Sequence, residues 1–393
     1  MTLYDIFKFT NMACDCEVDI TRPSKGIIYH IFRLYPRDDV IDFVYTNKQG
    51  LVNKKYSTAG RRNAVLFDLL AIKDGDTKAV KKYIEKYGFF LPLDPNGNNS
   101  IESECLFVLI NRLQATVSLM LTLSKKKMNY EQVLALTMYL LLSPQTKIGL
   151  PPYENEPFCT YEHEMGYYWH NTISISERVF RAENGEHIFD GGYFIEDSVR
   201  PPATLLIEDE YFEAMGCGDY DLTTMLTTMK AKIIYLFRNA TTVSPHCRLA
   251  IDFIYHFYKD FGELQDWNHN GELVFTESNP STFERFKNDE QLKDGLLKLA
   301  KHTLKSEIEG NLGGIVPSYD TELMMPSWNV DYLLSGLYYS VFSMRPNIEI
   351  NAVCANPRCG EPFQPTSANK KFCSSKCANA AAQSNYRRRK REQ

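Results

Sequence analysis

Cys354-Ala-Asn-Pro-Arg-Cys359 and, after thirteen further residues, Cys373-Ser-Ser-Lys-Cys377 set a C-x4-C-x13-C-x3-C spacing near the end of a 393-residue chain. Each pair can bring two thiolates to one ion. The first does so across a tight turn containing Pro357 and Gly360, the second on the first turn of a helix, where residues four apart share a face. Four thiolates close a tetrahedral shell, so Cys354, Cys359, Cys373 and Cys377 are expected to hold one structural Zn²⁺ with no open position for water. The segment has only Phe363 and Phe372 as an aromatic core and is too small to fold on apolar burial alone. Zinc-finger peptides gain roughly 10–16 kcal/mol from Zn²⁺ at neutral pH, which is ample to close that gap.

Downstream of Cys377 the chain reads Ala378-Asn-Ala-Ala-Ala-Gln-Ser-Asn-Tyr386, then Arg387, Arg388, Arg389, Lys390 and Arg391. The alanines favour a helix, and the cations suit its C-terminus. Together with Lys370, Lys371 and Lys376, these cations can neutralise several phosphates and make binding steeply salt dependent. Residues 351–393 hold nine Lys or Arg against two Glu, a net +7, so the total of −5 leaves −12 on the other 350 residues. An acidic body repels nucleic acid while the tail attracts it. A basic end can also be only a solvated terminus or a protein-docking element.

The module as written, Cys-Ala-Asn-Pro-Arg-Cys-Gly, a Phe three residues after that Gly, Thr366-Ser367, Lys371-Phe-Cys-Ser374, and Cys377-Ala-Asn379 before an Arg-rich end, resembles the bacterial CGNR zinc-finger family. In that family the finger usually follows a helical domain called ABATE, and the members are regarded as stress-related transcription regulators. The resemblance implies DNA binding, places the four cysteines as ligands and puts Asn379 at the motif's asparagine. Two features depart from the pattern. The last pair is C-x3-C where the family has C-x4-C, and Ala378 and Ala380 replace the Gly and Arg of the family's name. The chain is therefore read as a divergent relative or as a related treble-clef-like finger.

Over the whole chain, 44% apolar content in 393 residues is enough for a large core and argues against a disordered protein. Gly26–Tyr35 and Val40–Tyr45 read as a hairpin turned at Pro36-Arg-Asp-Asp39. Apolar residues at helical spacing give four helices between Asn63 and Ser143, and further helices at Leu222–Arg238, Pro245–Phe261, Asp289–Ile308 and Val330–Ser343, with a hairpin near Asn268–Gly271. Residues 144–220, with Pro151-Pro152, Pro201-Pro202 and the β-prone Ala203–Ile207, read as an irregular or partly β insert. The expected fold is a mainly α body with some β (α+β) over residues 1–350, subdivided near 150, with the zinc finger over 351–393.

Two other clusters invite a site. His163 and His170 lie near Glu162 and Glu164, although the spacing fits no zincin pattern, and Cys14-Asp-Cys16 could hold a metal or a redox pair. Tyr235, Phe253, Tyr255, Phe257 and Tyr258 could line a pocket or simply pack a core. No phosphate-cradling Gly loop, no G-x-S-x-G elbow and no complete nicotinamide fingerprint occurs, so the chain is read as a non-enzyme. The opening residues lack the pattern of a signal peptide, and the longest apolar run, Val133–Leu142, is half of a bilayer span; the expected location is the cytoplasm, with no membrane partner. The leading reading is a DNA-binding regulator, homodimeric if one finger is to bind tightly, whose body senses a small molecule or a protein. An RNA-associated or protein-docking finger, and an enzyme with a site in the body, are the alternatives.

Overall fold

The computed structural model describes residues 5–21, 29–46, 49–55, 63–125, 127–150, 157–171, 243–261, 264–275, 288–321, 324–344, 352–356, 362–363, 371–372 and 374–391, with a few single residues besides. With about 51% helix and 24% strand it is an α+β protein. The chain divides into two compact units interleaved in sequence: residues 1–124, 146–160 and 308–393 form one, and residues 125–145 and 161–307 form the other.

In the first unit, β1 (Asp5–Thr21) and β2 (Tyr29–Thr46) run antiparallel along their whole lengths. This corrects the hairpin expected at Pro36–Asp39: β2 passes straight through Pro36, and its partner is β1. A bulge explains the misreading. Phe7, Phe9, Asn11 and Ala13 are buried at odd positions of β1, and then Cys14 and Cys16 at even ones, because the register shifts between Met12 and Cys14, where Cys14 faces Pro36. The same change of parity in β2, from Phe32 and Leu34 to Phe43 and Tyr45, looks like a turn when only the alternation is read. Proline offers no N–H, so an interrupted ladder is where a strand tolerates it.

The other edge of β2 is shared by β3 (Gly50–Asn53), opposite residues 43–46, and β4 (Asn99–Glu102), opposite residues 31–34. Cross-strand partners stack on the buried face, Phe7 on Tyr45 at 5.2 Å and Phe9 on Phe43 at 5.0 Å, arrangements worth more than their buried area alone. Over this face lie α1 (Ala64–Leu70), α2 (Thr77–Tyr87) and α3 (Ser103–Leu123), of which Asp76 caps α2 by accepting from the Ala79 amide at 3.0 Å. With α4 (Tyr130–Leu142) these are the four helices expected between Asn63 and Ser143.

Two side chains tie β1 and β3 to the helices. Asn11 donates from Nδ2 to the Tyr87 and Phe89 carbonyls at 3.0 and 2.9 Å. Asn63, at φ 50°, accepts the Leu51 amide at 3.1 Å on Oδ1. Gly50 has φ 63°, and a Cβ there would stand 1.6 Å from Asn63 Oδ1, so only glycine fits.

Short β5 (Lys147–Ile148) and β6 (Phe158–Cys159) pair, and α5 (Glu164–His170) follows. Most of the expected insert, including Ala203–Ile207, and nearly all of the helix expected at Leu222–Arg238 lie outside the described residues. The second unit continues with α6 (Pro245–Phe261), the hairpin β7 (Leu264–Trp267) and β8 (Leu273–Phe275), and α7 (Glu290–Gly310), as the periodicity implies. An unexpected hairpin, β9 (Ile315–Asp320) with β10 (Met325–Val330), lies against β1 in the first unit; α8 (Leu333–Phe342) follows it and brings Tyr339 edge-on to Phe7 and Tyr45, each at 5.0 Å.

Among the described residues one helix, α3, is long and apolar enough to cross a membrane by length and composition, although polar Asn111, Arg112 and Gln114 interrupt it. Of its most apolar window, 61% is buried inside the protein, as for a core helix.

Candidate metal centre and nucleic-acid interface

The finger begins with β11 (Ala352–Val353), antiparallel to β12 (Pro362–Phe363), and ends with α9 (Ser375–Arg391). Cys354 follows β11 directly and is buried; Cys377 lies in the first turn of α9, half-buried, and the two lie near each other. A backbone bond from the Ala355 amide to the Lys371 carbonyl, 2.8 Å long, joins the first cysteine turn to the chain just ahead of the second pair. Ser374 accepts the Cys377 amide on Oγ at 3.2 Å, which satisfies an orphan donor at the start of α9. Two sulfurs are thus gathered from the two ends of the module, as a shared ion requires. Cys359, Cys373, Lys370 and Thr366-Ser367 lie outside the described residues.

Lys371 and Lys376 are exposed, and Arg387, Arg388, Arg389, Lys390 and Arg391 continue α9 to its end. Along α9, Ala381 is buried and Cys377 and Ala378 are half-buried, whereas Asn379, Ala380, Ala382, Gln383 and Ser384 are exposed. The helix therefore rests on one narrow face, and Gln383, which no motif marks, stands among the exposed polar positions.

The other candidates resolve into structural roles. His163 Nε2 lies 3.1 Å from Glu307 Oε2 with both groups buried, and its ring meets Tyr161 edge-on at 4.8 Å. His170 Nε2 sits 2.7 Å from the Leu142 carbonyl oxygen; Glu162 accepts the Gln145 amide and Glu164 the Ser244 amide. The four residues point to four different partners, and no metal-binding group of three or more His, Cys, Asp or Glu forms among the described residues. Cys14 and Cys16 lie in the sheet core, where burial pushes both thiols up to about 12, the opposite of what a reactive thiolate needs. Phe253, Tyr255 and Phe257 are buried, and Phe237 stacks on Tyr255 at 3.9 Å, which is core packing; Tyr235 lies outside the described residues.

The family model for the CGNR zinc finger matches residues 352–390. This segment is a zinc-binding finger of the CGNR kind, divergent in its last cysteine pair and at Ala378 and Ala380. No curated protein and no solved structure matches the chain.

Proposed function

We propose that this chain is a DNA-binding transcription regulator of the bacterial cytoplasm, with one Zn²⁺ held by Cys354, Cys359, Cys373 and Cys377 and a body that responds to a small molecule or a partner protein. The ion fixes the first cysteine turn to the start of α9. The helix then projects as a rigid, basic element, with Lys370, Lys371, Lys376 and Arg387 to Arg391 available to phosphates. The observation that carries this reading is the juxtaposition of a CGNR finger at residues 352–390 with the charge split of +7 on residues 351–393 against −12 on the rest. A closed thiolate shell activates no water, so this reading assigns the chain no catalysis. One finger makes a small interface, so tight binding calls for a dimer or a second contact from the body.

The test compares full-length protein with a full-length variant in which Arg387, Arg388, Arg389, Lys390 and Arg391 are all Gln, on a random-sequence duplex across a salt series. Wild-type protein is expected to bind with a steep slope, and the variant to lose up to about 0.9 slope units per lost phosphate contact. Zinc-loaded protein that binds no duplex at low salt makes the finger a protein-docking module and ends this reading.

A further inference from the structure

The buried and exposed positions of α9 divide it more sharply than its composition does. At about 100° of turn per residue, Cys377, Ala378 and Ala381, the half-buried and buried positions, fix the direction of the inward face. The stripe about 100° wide on the opposite side carries the exposed Lys376, Asn379 and Gln383. The two exposed alanines of α9, Ala380 and Ala382, lie on either side of that stripe and not on it.

We infer that this stripe is a base-reading surface for the major groove of duplex DNA, with Asn379 and Gln383 as the specificity-determining residues; the inference rests on the DNA-binding reading above. The groove is about 12 Å wide and admits one α-helix, and charge complementarity comes from the cations that end α9. Asn379 and Gln383 are exposed and carry the carboxamide that pairs in two-pronged fashion with adenine N6 and N7. They are four residues apart, about 6 Å along the axis, which corresponds to about two base pairs at 3.4 Å each. Lys376, exposed one turn before Asn379, suits guanine O6 and N7 or phosphate. The recognised element is therefore short, with adenines about two base pairs apart.

The experiment selects duplexes from a random pool with full-length, zinc-loaded protein, then measures selected against scrambled duplex for wild type, Asn379→Ala, Gln383→Ala and, as a control off the stripe, Ser384→Ala. Zinc per chain is assayed for each, since none of the three is a ligand. Wild type is expected to enrich an adenine-containing element, and each stripe variant to lose roughly 5- to 150-fold of the preference, while Ser384→Ala keeps it. A wild type that binds all duplexes equally, or stripe variants that keep the full preference, overturns the inference and leaves the DNA-binding reading standing. Zinc-loaded protein that retains no duplex overturns both.

Discussion

The sheet of the first unit and the finger at the end of the chain are stabilised by different means. In the sheet, order comes from apolar and aromatic groups far apart in sequence: Phe7 on Tyr45, Phe9 on Phe43, and Tyr339 closing over the first pair. In the finger, the described residues with buried side chains are Cys354, Asn356 and Ala381, too few for an apolar core, and a zinc-finger family match implies that a metal takes its place. A core shares its stabilisation among many contacts, so one loss is partial. A metal shell concentrates it in one ion, so one loss is nearly total.

The largest contrast should come from removing the metal. Chelation, or Cys354→Ser, is expected to remove a contribution on the order of 10 kcal/mol from the finger. Hydrogen exchange should then become unprotected across residues 352–390 while α3 and the strands of the sheet keep their protection; loss of protection in both regions would erase the distinction. The converse experiment is Gly50→Ala, which puts a methyl group onto Asn63 Oδ1 at a positive φ. It should cost the body about 3 kcal/mol or more by denaturant unfolding and leave zinc per chain unchanged.

Asn11→Ala should act in the same direction but less strongly, because the Tyr87 and Phe89 carbonyls lose a buried donor at about 1–3 kcal/mol. The smallest effect at neutral pH, and one that grows with alkalinity, concerns Cys14 and Cys16. Their native thiols titrate at about 12 against an ordinary 9.0, so the unfolded chain releases these protons first. Their contribution is complete below pH 9 and falls as pH rises from 9 to 12. Unfolding measured from pH 8 to 11 should show this decline, and a Cys14→Ala, Cys16→Ala double variant should show less of it.

What could be read directly from sequence follows the same divide. The finger was legible because ligand spacing is a local signal: Cys354 and Cys377 lie near each other, as the C-x4-C-x13-C-x3-C pattern demands. The helices were legible too, since α6 spans Pro245–Phe261 as its periodicity implies. The path of β2 was not. A bulge moves the buried set from even to odd positions around Pro36, and alternation alone cannot tell a change of phase from a turn. The β9–β10 hairpin escaped notice because its apolar residues Val316, Tyr319 and Trp328 are exposed and give no alternating pattern. The outward placement of Gln383 was not legible either, because which side of α9 is inward is set by the burial of Ala381 in the folded module.

The most direct test of zinc-dependent nucleic-acid binding follows one full-length sample on a duplex at low salt, first as isolated, then after chelation, then after Zn²⁺ is restored. Binding that disappears with the metal, returns with it and weakens steeply as salt rises is the expected result. Binding that survives chelation at full strength would contradict the account, because the basic tail would then act without the finger that presents it.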